Sequence, residues 1–243
     1  EIPMKKYVIL LAAFALIVLA GFTVMAQEGD CTACHSEAPT ITGAEIAWSN
    51  SVHGTGAAYV RGTSASCAGC HSGGAFSAMV AAGLRPDQVE EGDPNPTRQD
   101  CRTCHNIHTS YTADDWSLET TDPVNLYAFD MVTYDGGKGN LCANCHQPRR
   151  TMVAEEGIVN VSSTHWGPHH GPQAAMLLGV GGAGEVEGKE SPHVRWVEDT
   201  CVSCHLVNDN HSFEANVDAC VECHEGIEDF DYEGVQTQVD ELV

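Results

Sequence analysis

Twelve cysteines fall in six Cys-x-x-Cys pairs, and a histidine follows each pair at once: Cys31/Cys34/His35, Cys67/Cys70/His71, Cys101/Cys104/His105, Cys142/Cys145/His146, Cys201/Cys204/His205 and Cys220/Cys223/His224. Thiols three residues apart lie on one side of a helical turn. Each pair can therefore add across the two vinyl groups of a single porphyrin while the adjacent imidazole is held under the iron. This is the attachment pattern of c-type haem. Structural disulfides or a redox dithiol leave the six histidines unexplained, and zinc would assemble four ligands from two such pairs. The expectation is six covalent haem c groups, held by these twelve cysteines with the six adjacent histidines as iron ligands.

Seven histidines remain: His53, His108, His165, His169, His170, His193 and His211. A lone histidine is ordinarily a surface or hydrogen-bonded imidazole, but seven spares for six irons is close to a one-to-one match. His108 follows His105 by three residues and His211 follows His205 by six, so each can leave its own haem and reach a neighbour. His53 and His193 sit upstream of the next motif in turn-rich segments. The run from His165 to Pro172 is expected to supply two ligands from His165, His169 and His170. Met79, Met131, Met152 and Met176 are alternative thioether ligands, although methionine more often fills gaps in cores. Two imidazoles per iron lack the methionine sulfur that raises a cytochrome's potential, and they fill both axial positions. Low-potential electron carriers with no open iron follow, so the chain is read as a carrier and not as an enzyme.

The elements that must position these groups are weakly signalled. Lys5, Lys6, an apolar run from Tyr7 to Ala20 and the Val24-Met25-Ala26 site read as a signal peptide over residues 1–26. A retained single membrane span is the alternative, because Tyr7 to Ala26 reaches the ~20 residues a bilayer needs. Residues 27–243 then form one domain with a formal charge of −24, and Leu, Ile, Val and Phe make up 37 of its 217 residues. That composition belongs to a disordered chain unless something other than aliphatic side chains fills the core. The charge excludes a nucleic-acid or anionic-membrane partner. The motif starts at 31, 67, 101, 142, 201 and 220 leave too little chain per haem for separate cores. The fold class is accordingly mostly irregular coil with short α-helices, wrapped around a stacked haem chain. Helices are expected over Ala75–Ala82, Pro172–Leu178 and Tyr232–Leu242, with loops at Gly179–Gly188 and Asp93–Pro96. Asp135-Gly136-Gly137-Lys138-Gly139-Asn140 lacks the Gly-Lys-Ser/Thr order of a phosphate loop and is read as a turn.

The six motifs, the run His165-Trp166-Gly167-Pro168-His169-His170-Gly171-Pro172-Gln173 and the ending Asn210-His211-Ser212-Phe213 to His224 resemble multihaem c-type cytochromes of bacteria and archaea. Within them the chain looks most like extracellular cytochromes that polymerise into conductive filaments. The resemblance implies stacked haems with two histidines each, self-association with one axial histidine given to the next subunit, and other redox proteins or external acceptors as partners. His53, or one of His165, His169 and His170, is the expected donor. An extracellular or cell-surface location follows, with the periplasm as alternative. A soluble shuttle, a reductase of nitrogen or sulfur oxyanions and a membrane-anchored quinol-oxidising cytochrome are the competing functions.

Overall fold

Glycine at 24 positions and proline at 10 break the chain into short pieces, because glycine costs helices conformational entropy and proline removes a donor. The computed structural model describes residues 38–129, 131–151, 156–161, 171–182 and 188–242. The leader, Cys31, Cys34, His35, Met152, His165, His169 and His170 lie outside the described residues. The chain is mostly irregular with short helices, as its composition predicts. In order these are α1 (Ala38–Asn50), α2 (Val52–Thr55), α3 (Ala65–His71), α4 (Gly73–Ala81), α5 (Cys101–Cys104), α6 (Gly139–Ala143), α7 (Gln173–Leu177), α8 (Pro192–Trp196), α9 (Cys201–His205) and α10 (Val235–Asp240). Strands β1 (Val124–Asn125) and β2 (Thr133–Tyr134) pair antiparallel, with Val124 opposite Tyr134. Among the described residues no helix is long and apolar enough to cross a membrane.

The expected helix at 75–82 is α4, begun two residues earlier because Ser72 caps it by accepting the Ala75 N–H. Helix α7 falls where Pro172 announced it. The C-terminal helix is shorter than expected, since Glu233 adopts φ 54° and separates a 3-10 turn at Tyr232–Gly234 from α10.

Among the described residues apolar burial is sparse and falls in two places. One cluster joins Val124, Leu126, Tyr134, Ala143, Ala174 and Ala175, edged by Phe129, Leu177 and Leu178. The other lies where α3 packs against α4 and the Pro86–Gln88 turn: Ala68, Phe76 and Met79 are buried there. Gly69 must be glycine at this contact, because a Cβ would stand 2.8 Å from the Met79 sulfur and 3.2 Å from Pro86. The second and fourth attachment motifs thus stand on the two clusters.

Candidate haem sites

The motifs share a local geometry. Each of His105, His146 and His224 donates its backbone N–H to the carbonyl of the first cysteine of its own motif, at 2.9, 2.9 and 2.8 Å. This i to i−4 turn sets both thiols and the imidazole along one side of the chain. Asp100 starts the third motif by accepting the N–H groups of Arg102 and Thr103, while Thr103 Oγ1 accepts the Asp100 N–H. None of the ten described cysteines is disulfide-bonded.

The described attachment cysteines differ in exposure. Eight of the described cysteines are half-buried, but Cys101 and Cys223 are exposed. Cys101 opens helix α5, whereas Cys223 lies in a turn that no helix continues, its N–H reaching the Cys220 carbonyl at 3.2 Å. Beside Cys223, Glu222 and Glu225 are exposed and His224 is half-buried, its ring 4.2 Å from that of Tyr232.

Among the described residues three pairs of imidazoles face each other. His53 meets His146 with ring centres 6.2 Å apart and planes at 72°; His105 meets His211 at 6.3 Å and 40°; His193 meets His224 at 6.1 Å and 81°. Each pair joins a motif histidine to one from outside the motifs. With a metal–nitrogen bond of ~2.0 Å and a ring centre ~1.1 Å behind that nitrogen, two imidazoles on opposite sides of one iron have centres ~6.2 Å apart. Aromatic edge contact alone also spans ~4.5–7 Å. It does not require three pairs of one kind at one separation. Among the described residues no three His, Cys, Asp or Glu side chains stand close enough to hold a bare metal ion; six imidazoles stand in twos, the set a porphyrin iron with two protein ligands would take.

The rings are oriented for that use. Carbonyl oxygens only accept, so Nδ1 carries the proton where His105 bonds the Trp116 carbonyl (2.7 Å), His205 that of Phe213 (2.8 Å) and His211 that of Asp209 (2.8 Å). Nε2 keeps its lone pair for the metal, the arrangement that fixes the tautomer of ligating histidines. His146 Nδ1 makes a longer contact to Gln173 Oε1 at 3.3 Å. Burial holds His53 below the ordinary imidazole range, with His146 adding repulsion, and burial lowers His105 likewise. A neutral ring is the ligating form.

The motifs also touch one another. The Cys70 sulfur lies 3.9 Å from the Asn144 carbonyl and the Cys145 sulfur 3.9 Å from the Cys70 carbonyl, while α6 packs against α9. The fourth motif therefore abuts the second through its sulfurs and the fifth through its helix. Burial pushes Cys104, in the third motif, up to about 12. Gln99 ties the approach to the third motif onto the second by donating Nε2–H to the Cys70 carbonyl at 2.9 Å.

The fourth and fifth motifs are joined by a buried knot. Tyr134 OH and Thr200 Oγ1 lie 2.7 Å apart, Thr200 Oγ1 donates to the Gly136 carbonyl at 3.0 Å, and the Tyr134 oxygen lies 3.6 Å from the Cys201 sulfur. Asp199 enters the turn before α6, accepting the Lys138 backbone N–H at 2.9 Å and pairing with its ammonium at 2.8 Å. The glycines of that turn make the docking possible: a Cβ on Gly137 would stand 2.5 Å from Asp199 Oδ1, and one on Gly139 would overlap Thr200 Oγ1. The turn expected at Asp135–Asn140 is present, and the anion it cradles is a carboxylate of the same chain. Asp199 and Thr200 sit at φ 57° and 39°, a conformation worth ~1–3 kcal/mol of strain each, which the knot offsets.

His71 ends α3 and His205 ends α9. His108 is exposed at φ 61°, its ring stacked on Tyr111 at 5.4 Å. Buried Asp115 holds its turn by accepting from Ser110 N and Oγ, both at 2.6 Å, and from Tyr111 N at 3.1 Å. Neither His108 nor His205 faces another imidazole among the described residues. His53, a candidate with His165, His169 and His170 for the ligand given to a neighbouring subunit, faces His146 of its own chain. Met79 is buried in the α3–α4 contact, while Met131 and Met176 are exposed. Sequence reasoning did not single out Trp116, Tyr134, Thr200 or Phe213 as parts of the site. No motif marks a residue that serves through its carbonyl or its ring face.

Residues 19–118 match the family model described as outer membrane cytochrome MtrC/MtrF-like, domains II/IV. The matched stretch holds the motifs beginning at Cys31, Cys67 and Cys101, together with His53 and His108. No curated protein and no solved structure matches. The family match, beside five described attachment motifs in an irregular chain of short helices, supports a multihaem cytochrome of the extracellular, electron-carrying kind.

Proposed function

We propose that the protein carries six haem c groups, each iron held by two imidazoles, and passes single electrons along them to an external acceptor as a subunit of an extracellular filament. One observation carries the ligation: three motif histidines each face a histidine from outside the motifs at 6.1 to 6.3 Å. Bound there, haem iron supplies reversible one-electron exchange. The chain's own residues anchor, orient and crowd the sites. Cysteine pairs fix the porphyrins, carbonyls of Trp116, Phe213 and Asp209 fix the tautomers, and the contacts of the fourth motif bring its site against those of the second and fifth. Two imidazoles on each iron would leave no position open to substrate, in keeping with a carrier.

Self-association rests on the resemblance and on two features of the chain. The described apolar core is small, so coordination that ties subunits together adds stability as metal binding does elsewhere. Exposed His108, with its ring outside the three pairs, is the described histidine best placed to serve a neighbouring subunit. Mass spectrometry of the mature protein is expected to exceed the polypeptide by six haem masses, with low-spin ferric spectra throughout. Four haems or fewer, or a large high-spin signal with carbon monoxide binding, overturns the proposal. Electron micrographs of the extracellular fraction are expected to show filaments, and a protein that stays monomeric at high concentration with every iron low-spin refutes the polymer.

A further inference from the structure

We infer that Phe213 is a positioning residue whose ring sets the imidazoles of two haem sites at once, while its carbonyl holds the imidazole of a third. The inference rests on the two-imidazole reading above and concerns what holds the rings. The Phe213 ring meets His53 edge to face, at 4.9 Å and 79°, and meets His211 at 6.0 Å and 72°. These two imidazoles belong to different pairs, facing His146 and His105. The Phe213 carbonyl, meanwhile, accepts the Nδ1–H of His205 at 2.8 Å. One residue therefore touches ligands of the third, fourth and fifth motifs.

The backbone is committed to this arrangement. Phe213 sits at φ 60°, the left-handed region that a bulky side chain adopts only when its surroundings impose it. Its N–H donates to the Asn210 carbonyl at 3.5 Å, and the Asn210 side chain accepts the Ser212 N–H at 3.1 Å, closing a turn that aims the ring back at the histidines. An imidazole bound through one nitrogen is free to rotate about that bond. Edge-to-face contact opposes the rotation, because the ring quadrupole favours a perpendicular neighbour. With one phenyl ring against two imidazoles, the planes at the two sites are set by the same wall. The angle between axial planes governs the anisotropy of a low-spin ferric haem, so the contact has a spectroscopic readout that packing alone would not move.

Electron paramagnetic resonance of the fully loaded protein tests this, with the His193/His224 site as internal control because Phe213 does not touch it. The wild type is expected to give highly anisotropic signals from the near-perpendicular His53/His146 and His193/His224 pairs and a more rhombic one from His105/His211. Phe213→Ala is expected to keep six haems per chain and to shift the His53/His146 and His105/His211 signals while the third stays fixed; Phe213→Tyr is expected to restore both. Phe213→Leu fills the same space without a π face and is expected to behave as Phe213→Ala, which keeps the test open should the alanine variant fail to mature. A spectrum unchanged in Phe213→Leu or Phe213→Ala at full haem content overturns the positioning role and leaves the ligation intact. High-spin iron at these sites in the wild type overturns the ligation itself.

Discussion

The stretch from Ser51 to Gln147 and the stretch from Cys201 to Leu242 each carry attachment motifs and paired imidazoles, yet they are built differently. The first has buried side chains throughout, including Phe76, Met79, Leu126, Tyr134 and Asn140, and its helices pack on one another. The second has no buried residue, and it ends its last motif on the exposed Cys223. Its turns are held by side chains bonding backbone two to six residues away, as Asn216 does to Asp218 and Asp231 to Gln236 and Thr237. Such local bonds set turn shape but bury almost no apolar surface, and burial supplies most folding free energy. The contrast teaches that the attachment motifs rest on two kinds of support: an apolar core near the second to fourth, and polar bonds, local or to the Tyr134–Thr200 knot, near the fifth and sixth.

Removing the cofactor is the strongest way to break this comparison. In a chain produced without haem attachment, amide hydrogen exchange over 201–242 is expected to lose its protection entirely. Amides of α3, α4 and the β1–β2 ribbon should keep a measurable part of theirs. Equal loss in both regions would dissolve the distinction. A smaller effect is expected from Phe76→Ala. Its side chain is 2% exposed, and emptying the site should cost ~3–5 kcal/mol in a denaturant titration followed in the first region. The same midpoint shift in probes of the C-terminal stretch would mean that the two unfold as one unit.

The smallest effect sharpens the boundary between the regions. The Lys138 ammonium and backbone N–H hold the Asp199 carboxyl below the usual carboxylate range. Folding therefore favours the ionised form, and the stabilisation is complete above the unfolded value of ~3.9 and is lost as pH falls through the lower folded value. The knot between the fourth and fifth motifs should loosen in acid, and Asp199→Asn should flatten that part of the profile while leaving neutral stability lower. An acid titration of near-ultraviolet dichroism, in which the Tyr134 band reports on the knot, checks this; identical acid limbs for both proteins would remove Asp199 from the account.

Much of this was legible in the residues. The attachment motifs, the supply of spare histidines, the scarcity of aliphatic core and the helices near 73–81 and 173–177 all follow from local pattern. The pairing of histidines does not. His53 and His146, or His105 and His211, come from distant parts of the chain, and no periodicity says which will meet. Nor does the motif itself say how deeply its sulfurs lie: Cys145 and Cys223 hold the same place in their pairs, and only the packing around them differs. The turn at Asp135–Asn140 was readable as a turn because glycine and aspartate announce one. Its occupant was not, since Asp199 and Thr200 reach it from the far side of α8. Phe213 was hidden for another reason: its neighbours Asn210 and His211 attract notice, while a phenylalanine in a chain short of apolar residues reads simply as core.

The knot around Thr200 also bears on how this sequence can drift. A methyl group at position 139 would collide with the Thr200 hydroxyl, and one at 136 would meet the same atom at 2.5 Å. Two small residues beside the fourth attachment motif are therefore tethered to one hydroxyl beside the fifth. Lineages that enlarge either glycine must first surrender Thr200 and the Tyr134 bond with it, so three separated positions form a single heritable unit, and substitutions that look harmless one at a time become passable only in a fixed order.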